Sequence, residues 1–278
     1  YYGTGEGYPN ADALREVGLF KSTDGGMSWD ILPSTANSAF YYTQKIIVFP
    51  GTGDVYAATR SGLQRSKDGG QTWEVVLGAG NVASSGFISD LDIGGNNDLY
   101  ASIGSGGVYK SPASLGTAVG DSGQWTRLNL NFPAGFGRIE FTVGTNNPDY
   151  MYAVSEVSSA ASDIQRSTNG GTTWSTILSQ PGGGNSWASN QAWYDLCITV
   201  DPFNHLRVFA GGLDQYRTTT GGNSWVNIDN FGGMHVDQHN IVFNPNVSGQ
   251  VVFANDGGLY YSANNGQSYG SRNSGYNV

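Results

Sequence analysis

The chain has 278 residues, enough for one domain with a sizeable hydrophobic core. Its 22 acidic and 13 basic residues give a formal net charge of -9, which argues against nucleic acid as a partner because phosphates need a basic surface. No apolar run approaches the roughly twenty residues that cross a bilayer. The single cysteine, Cys197, excludes an internal disulfide and is predicted to lie in an apolar strand.

Short alternating segments, separated by Gly, Asn and Pro, follow one another along the whole chain. The first, 1–5, matches the second strand of later repeats, such as 55–59, so the first repeat is predicted to lack its own first strand. Later repeats show an alternating strand such as 46–50, then a β-rich segment and a third strand such as 62–66. This pattern predicts four antiparallel strands per repeat and no helices. We also expect the chain to be part of a longer multidomain polypeptide.

A motif of the form Ser-x-Asp-x-Gly-x-Ser/Thr-Trp recurs between the third and fourth strands, about every fifty residues. Its Asp is predicted to accept hydrogen bonds from turn amides and its Gly to supply positive φ. Its Trp is predicted to cover the hairpin and pack towards the next sheet. A degenerate copy occupies 121–125. The motif is therefore interpreted as structural and not catalytic. Its predicted structural residues are Asp24, Trp29, Asp68, Trp73, Asn169, Trp174, Trp225 and Asn264.

Six repeats of four strands predict an all-β protein, a β-propeller built of four-stranded antiparallel blades. Six blades are recognisable and the first is incomplete. Residues outside this chain are a possible source of the strand that completes the ring. The whole span 1–278 is predicted to be a single propeller domain.

These motifs resemble the Asp-box, or BNR, repeats of sialidases, sortilin-type ectodomains, two-propeller xyloglucanases and many secreted bacterial proteins. The resemblance covers essentially the whole chain and implies the propeller fold, but Asp-box propellers carry unrelated functions. Trp193-Tyr194-Asp195, the segment 235–239 and Asn255-Asp256-Gly257-Gly258 together resemble large surface proteins of Bacteroidetes-type bacteria. Many of those carry a type IX secretion sorting domain. The resemblance therefore implies a secreted or bacterial cell-surface location.

Candidate ligand-binding residues fall in loops predicted to share one face of the propeller, opposite the motifs. They come from blades one, five and six, and are Glu6, Trp187, Trp193, Asp195, His235, Asp237, His239 and Asp256. Trp187 and Trp193 are either a platform on which a sugar stacks or packing within a long loop. Strand alternation predicts His235, Asp237 and His239 on one face. We interpret that trio as a hydrogen-bonded polar cluster first, a ligand site second and a metal site third.

The function predicted from these residues is a binding or scaffold module whose partner is a glycan or a protein. We predict no catalytic residues, no cofactor and no metal. The alternative is a glycoside hydrolase that uses carboxylates at the channel mouth, drawn from Asp90, Asp195 and Asp237. A sialidase is disfavoured because the Phe/Tyr-Arg-Ile-Pro motif of that family is matched only in part, by residues 136–140.

Overall fold

The structure of the chain is a computed structural model, and it describes all residues except 4, 6, 8–13, 16, 79–85, 178, 230–232 and 276–278. The described residues form two compact units, Tyr1–Leu128 and Asn129–Val278. Within both ranges the regular structure is antiparallel strand, interrupted by 3-10 turns but by no α-helix. The short 3-10 helices are Pro33–Thr35, Ser38–Phe40, Ala113–Ala118, Pro181–Gly183 and Asn185–Ala188.

The unit Tyr1–Leu128 contains three sheets. Sheet 1 has three strands among the described residues, and sheets 2 and 3 have four each. Sheet 1 consists of β1 (Tyr2–Gly3), β2 (Leu19–Lys21) and β3 (Asp30–Ile31). Sheet 2 consists of β4 (Thr43–Val48), β5 (Val55–Thr59), β6 (Gly62–Ser66) and β7 (Glu74–Leu77). Sheet 3 consists of β8 (Ile88–Ile93), β9 (Leu99–Ile103), β10 (Gly107–Ser111) and β11 (Thr126–Arg127).

The unit Asn129–Val278 also contains three sheets, whose strands are neighbours in chain order apart from the short β14. Sheet 4 consists of β12 (Phe136–Val143), β13 (Met151–Val157), β15 (Gln165–Ser167) and β16 (Ser175–Thr176), with the short β14 (Ala160–Ala161) attached to β13. Sheet 5 consists of β17 (Cys197–Asp201), β18 (Asn204–Gly211), β19 (Gln215–Thr218) and β20 (Val226–Asn227). Sheet 6 consists of β21 (Gln238–Phe243), β22 (Val251–Asn255), β23 (Gly258–Ser262) and β24 (Gly270–Ser271).

These six sheets are the blades of a β-propeller, which confirms the predicted fold class and the short first blade. In each unit the first strand of one sheet packs on the first strand of the next, as β12 packs on β17 and β17 on β21. Apolar side chains fill the space between neighbouring sheets of a unit. Between sheets 5 and 6 this core includes Phe209, Phe253 and the buried Cys197.

The repeated motif forms a hydrogen-bonded loop between the third and fourth strands, as predicted. In sheet 2 the Asp68 carboxylate accepts the Thr72 N–H at 2.9 Å and the Thr72 hydroxyl at 2.6 Å. Ser66 Oγ accepts the N–H of Gly70, whose φ of 96° is in the left-handed region that favours glycine. The carboxylate and hydroxyl thus satisfy the turn amides from within the loop, and residues of sheet 1 and its following loop bind its carbonyls, with Lys21 donating to Gly69 and Ser34 to Gly70.

The substituted copies use the same geometry with different atoms. Asn169 Oδ1 accepts the Thr173 N–H at 2.9 Å, and its amide nitrogen donates to the Thr173 hydroxyl at 2.8 Å. In the degenerate copy, Ser111 still accepts the Gly120 N–H at 2.8 Å, although eight residues separate them. Asp121, in contrast, pairs with Arg65. The longer connection therefore keeps the serine contact, whereas its acidic residue has a partner outside the motif.

The motif tryptophans differ in burial. Trp174 is 6% exposed, whereas Trp29 is 45% exposed, so the prediction that the ring packs towards the next sheet fails for Trp29. Trp29 instead meets Tyr2 of its own sheet edge-on, with ring centroids 6.0 Å apart. Trp73 lies between these extremes and contacts Phe40, with ring centroids 5.0 Å apart.

Candidate functional site

Three chain segments meet at one end of the strands in the second unit. Asp256, in the β22–β23 turn, donates its N–H to the carbonyl of Asp237, which precedes β21. Asp237 donates its own N–H to the carbonyl of Leu213, in the β18–β19 turn. The motif loops lie at the other end, where Asn265 donates to the carbonyl of Gly249 between β21 and β22. This arrangement agrees with the prediction that the candidate residues and the motifs lie at opposite ends of the strands.

A partly exposed group of side chains, here called the aromatic–acid cluster, consists of Trp193, Tyr194, His239 and Asp256. One carboxylate oxygen of Asp256 contacts His239 Nε2 at 2.6 Å and accepts the Tyr194 hydroxyl at 3.2 Å. The Tyr194 ring meets the His239 ring edge-on at 4.7 Å, and the Trp193 ring lies 5.5 Å from the Tyr194 ring. The His239 and Asp256 side chains remain 24% and 38% exposed, so a ligand can reach both.

Arg138 holds the segment that carries Trp193, Tyr194 and Asp195. It lies where β12 shifts register between Phe136 and Ile139, and its guanidinium is buried. Its Nη atoms donate to the carbonyls of Tyr194 and Leu196, both at 2.7 Å, and its Nε donates to Glu140 at 2.9 Å. The guanidinium therefore fixes the backbone on both sides of Asp195.

Asp195, which is buried, and Asp237, which is half-buried, are here called the buried pair. Gln191 connects them, because its carbonyl accepts the Asp195 N–H at 3.0 Å and its side-chain amide donates to Asp237 at 3.1 Å. The Asp195 side chain is fully buried, and within the described part of the chain neither of its oxygens receives a hydrogen bond from a fixed donor. Its neighbour at this position is the carboxyl of Asp237.

The ionisation of Asp195 is strongly perturbed. Burial raises the pKa of this carboxyl to about 7, and the adjacent Asp237 carboxyl contributes to the rise. The Arg138 guanidinium opposes it. Because burial makes its charged form costly, the Asp195 carboxyl is protonated in a substantial fraction of molecules near neutral pH.

The prediction that His235, Asp237 and His239 share one strand face is wrong. Strand β21 begins only at Gln238, and Asp237 has a φ of 62°, so alternation does not extend back through 235–237. A register shift between Gln238 and Asn240 interrupts it again. His235 is exposed and contacts the carbonyl of its neighbour Val236, whereas His239 contacts Asp256. Across the residues that the structure describes, no three His, Cys, Asp or Glu side chains are arranged to hold a metal ion.

Two other predicted ligand residues do not join the cluster. Trp187 is 3% exposed and packs in the core between sheets 4 and 5, so its ring offers no face on which a sugar could stack. The packing alternative describes it correctly. Glu6 lies outside the described residues. Asp90, a candidate carboxylate of the hydrolase alternative, lies in the first unit and is bound by Lys45 at 2.7 Å.

Sequence reasoning missed the roles of Tyr194, Gln191 and Arg138. Tyr194 carried a signal, because it lies between two predicted site residues. Gln191 and Arg138 carried none that a single sequence reveals, because their contacts depend on a turn and on a strand irregularity. No helix in the described ranges is long and apolar enough to cross a membrane.

Comparison with solved structures supports the propeller class. An ancestral GH74 enzyme matches with a TM-score of 0.59 and 17% identity over 84% of this chain and 31% of that one. The GH74 xyloglucanase from Xanthomonas campestris matches with a TM-score of 0.53 and 15% identity over 92% of this chain and 55% of that one. YCF48 bound to D1 peptide matches with a TM-score of 0.57 and 19% identity over 87% of this chain and 71% of that one.

At these identities the likeness is one of fold, and the fold is that of a β-propeller. The chain spans between 31% and 55% of the length of the GH74 structures that it matches. No protein-family model matches the sequence, and no curated protein matches it either.

Proposed function

We propose that this propeller is a binding module that recognises a neutral glycan or a protein surface through the aromatic–acid cluster, without cleaving it. The proposal rests on the contact network of Tyr194, His239 and Asp256. These side chains hold one another in place, and those of His239 and Asp256 remain partly exposed to solvent. Aromatic rings with adjacent hydrogen-bonding groups suit a sugar ring, which has apolar faces and polar edges. Negative charge at the rim disfavours an anionic ligand.

The alternative, a glycoside hydrolase, is less well supported by the geometry of the buried pair. Both retaining and inverting enzymes hold two carboxyls open to the substrate. Here the Gln191 amide already engages the Asp237 carboxyl at 3.1 Å, and that carboxyl lies beside Asp195. Asp195 is also fully buried, so a glycosidic oxygen could not reach it without movement of the segment that Arg138 holds.

The fold neighbours are consistent with either ligand class. GH74 enzymes include a xyloglucanase, and YCF48 is seen with a bound peptide. The Asp-box resemblance of the motif loops further supports an exported, bacterial cell-surface protein in which this propeller is joined to other domains. In that setting the motif loops stabilise the blades and the cluster at the opposite end binds the partner.

A glycan array combined with a hydrolysis screen tests the proposal. We expect binding of a neutral glycan without product formation, and at least tenfold weaker binding for Trp193→Ala and Asp256→Ala. Phe203→Ala is the matched control, because Phe203 is 42% exposed in the β17–β18 turn, away from the cluster. If no glycan binds, a peptide array decides between a protein partner and no ligand at the cluster.

Product formation that disappears in Asp195→Asn or Asp237→Asn would contradict the proposal and establish the hydrolase. Binding that survives both cluster variants but is lost in Phe203→Ala would move the site to the other end of sheet 5.

A further inference from the structure

At three junctions between neighbouring sheets, a repeated hydrogen bond joins one sheet to the motif of the next. A basic residue directly before the first motif residue donates to the carbonyl of the residue three positions after the first motif residue of the following sheet. The pairs are Lys21 with Gly69 at 3.0 Å, Arg166 with Gly221 at 2.8 Å and Arg217 with Asn265 at 2.6 Å. Because the donor is charged, each contact is stronger than a neutral hydrogen bond.

A second contact accompanies the first at the same junctions. The glycine four positions after the first motif residue packs on an aliphatic side chain of the preceding sheet, three residues after that sheet's motif Trp. The pairs are Gly70 with Leu32, Gly222 with Ile177 and Gly266 with Ile228, and a Cβ on these glycines would lie 2.6, 2.6 and 3.2 Å from the partner side chain. Glycine therefore leaves the space that the neighbouring side chain fills.

The motif of sheet 1 has neither contact. Its corresponding residues, Gly25 and Gly26, are exposed. Beyond its chain neighbours, a Cβ on Gly25 would meet no described atom within 4 Å, and one on Gly26 would meet only Trp29 of the same loop, at 3.7 Å. No described residue donates to the Gly25 carbonyl. The acceptor and the space that a preceding sheet uses elsewhere are thus unfilled by the described residues.

The same sheet presents an uncovered apolar face, here called the open face. Tyr2, Phe20 and Ile31 are in register across β1, β2 and β3, so they share this face. Tyr2 is 56% exposed and Ile31 is 38% exposed. The other face is covered, because Leu19 packs on Ala57 of sheet 2. Ala57 has the position in sheet 2 that Tyr2 has in sheet 1, yet it is fully buried.

We propose that the open face of sheet 1 docks a further β-sheet of the same repeat type, supplied from outside residues 1–278. The repeated contacts define its chemistry: a Lys or Arg that donates to the Gly25 carbonyl, and a Leu or Ile that packs over Gly26. An exposed apolar face of this kind marks an interaction surface. The surface lies in the first unit, so the proposal goes beyond the proposed function and does not depend on the ligand of the aromatic–acid cluster.

The described sheets of this chain do not offer that chemistry on an uncovered face. Sheet 6 has Tyr261 before its motif serine, and Arg272 where sheets 1, 4 and 5 have Leu or Ile. Lys110 of sheet 3 is bound by Asp98 of its own sheet at 2.5 Å. In sheets 1, 2, 4 and 5 the face towards the next sheet is already packed on it. A second copy of the chain is therefore a poorer partner than a further repeat.

The test joins an extra repeat to the whole chain. A copy of residues 192–251, which spans sheet 5 and β21, is placed directly before Tyr1, so that Tyr1 takes the position that Val252 has after β21. This copy brings Arg217 and Ile228. A second fusion uses a copy of residues 129–208, which spans sheet 4 and β17 and brings Arg166 and Ile177.

Protection of a thiol at position 31 measures docking. In the unfused chain, the Ile31→Cys variant should react readily with iodoacetamide, because this position is 38% exposed. In both fusions we expect labelling to be at least about tenfold slower, because the added sheet must open before the reagent can enter. Mass spectrometry separates this thiol from Cys197. Phe203→Cys, at a position 42% exposed in the second unit, is the control whose labelling should not change.

A third fusion tests the two junction residues. In its copy of residues 192–251, Arg217→Tyr and Ile228→Arg introduce the residues of sheet 6, and labelling at position 31 should return towards the unfused rate. Unchanged labelling in both unaltered fusions would overturn the proposal, and so would equal protection by the altered copy. A dimer of the unfused chain in analytical ultracentrifugation that Ile31→Ser dissociates would also overturn it, by assigning the open face to a second copy.

Discussion

The burial of Asp195 affects how the stability of the protein depends on pH. Its folded pKa of about 7 lies above the ordinary value of 3.8, so the folded state binds the proton more tightly than the unfolded state. Stability from this group is therefore complete below the ordinary pKa and falls as pH rises towards and through 7. The carboxyl is expected to destabilise the protein by about 2–4 kcal/mol at pH 8 relative to pH 4.

Asp195→Asn removes the charge that this pH dependence requires. We expect the variant to match the wild type near pH 4 and to be more stable than the wild type at pH 8. Urea unfolding followed by fluorescence at pH 4, 6 and 8 measures the difference. A stability difference that is constant across this range would contradict the assignment of the raised pKa to Asp195.

At the residue scale, the sequence indicated several polar side chains that the structure brings together, but not how they are directed. Asp195, Asp237, His239 and Asp256 were all predicted as site residues, because they are polar and lie next to strand ends. The left-handed backbone at Asp237 was not predictable, because such a φ is uncommon outside glycine and leaves no mark in the alternation pattern. It is this conformation that separates His235 from His239.

At the scale of the element, the motif loop is the unit whose chemistry repeats. Its acid is interchangeable with asparagine, because Asn169 and Asn264 make the same two contacts as Asp68. We therefore expect Asp68→Asn to lower Tm less than Asp68→Ala, which removes both contacts. Thermal unfolding of the two variants at pH 7 measures this, and equal losses would show that the loop hydrogen bonds add little.

The acid and the amide differ in how they respond to pH. Hydrogen bonds from Thr72 and Ser66 hold the pKa of Asp68 well below its usual range, so its contribution is present above the ordinary pKa and lost as pH falls below it. Asp68→Asn should accordingly lose less stability than the wild type between pH 4 and pH 2. Circular dichroism during acid titration follows both proteins.

The tryptophan of the loop contributes according to its burial. Trp73 is half-buried against Phe40 and donates to Ser34, whereas Trp29 is 45% exposed. Trp73→Ala is expected to cost about 2–4 kcal/mol of unfolding free energy, and Trp29→Ala less than half of that. Both rings lie in the first unit, so urea unfolding compares them directly. A larger loss for Trp29→Ala would contradict the ranking.

The elements were largely predictable and their exceptions were not. Alternation and turn residues indicated the strand order of the blades, since both signals are local. The connection between Ser111 and Gly120 is longer than in the other motif copies and still keeps the hydrogen bond between these residues. Local sequence pattern does not predict that contact. Trp187 was ambiguous for the same reason: whether a loop tryptophan faces solvent or core depends on neighbouring sheets.

At the scale of the whole molecule, the net charge of -9 governs what can approach. The negative field of the protein repels polyanions and attracts cations. We expect the protein to pass through a heparin column without retention at low salt. Retention would reveal a basic patch and reopen nucleic acid as a partner. A variant lacking the aromatic ring and the acid of the cluster, Trp193→Ala with Asp256→Ala, should elute identically, because overall charge and not the cluster sets this result.

The contacts of Arg138 bear on how relatives of this protein can be recognised. A chain that lost the guanidinium would leave the carbonyls of Tyr194 and Leu196 without these donors, and the acid between them would no longer be held. Positions 138 and 195 are thus expected to change together over evolution, although they lie far apart along the chain. Among distant propellers of low overall identity, retention of both residues would distinguish one that shares this site from one that shares only the fold.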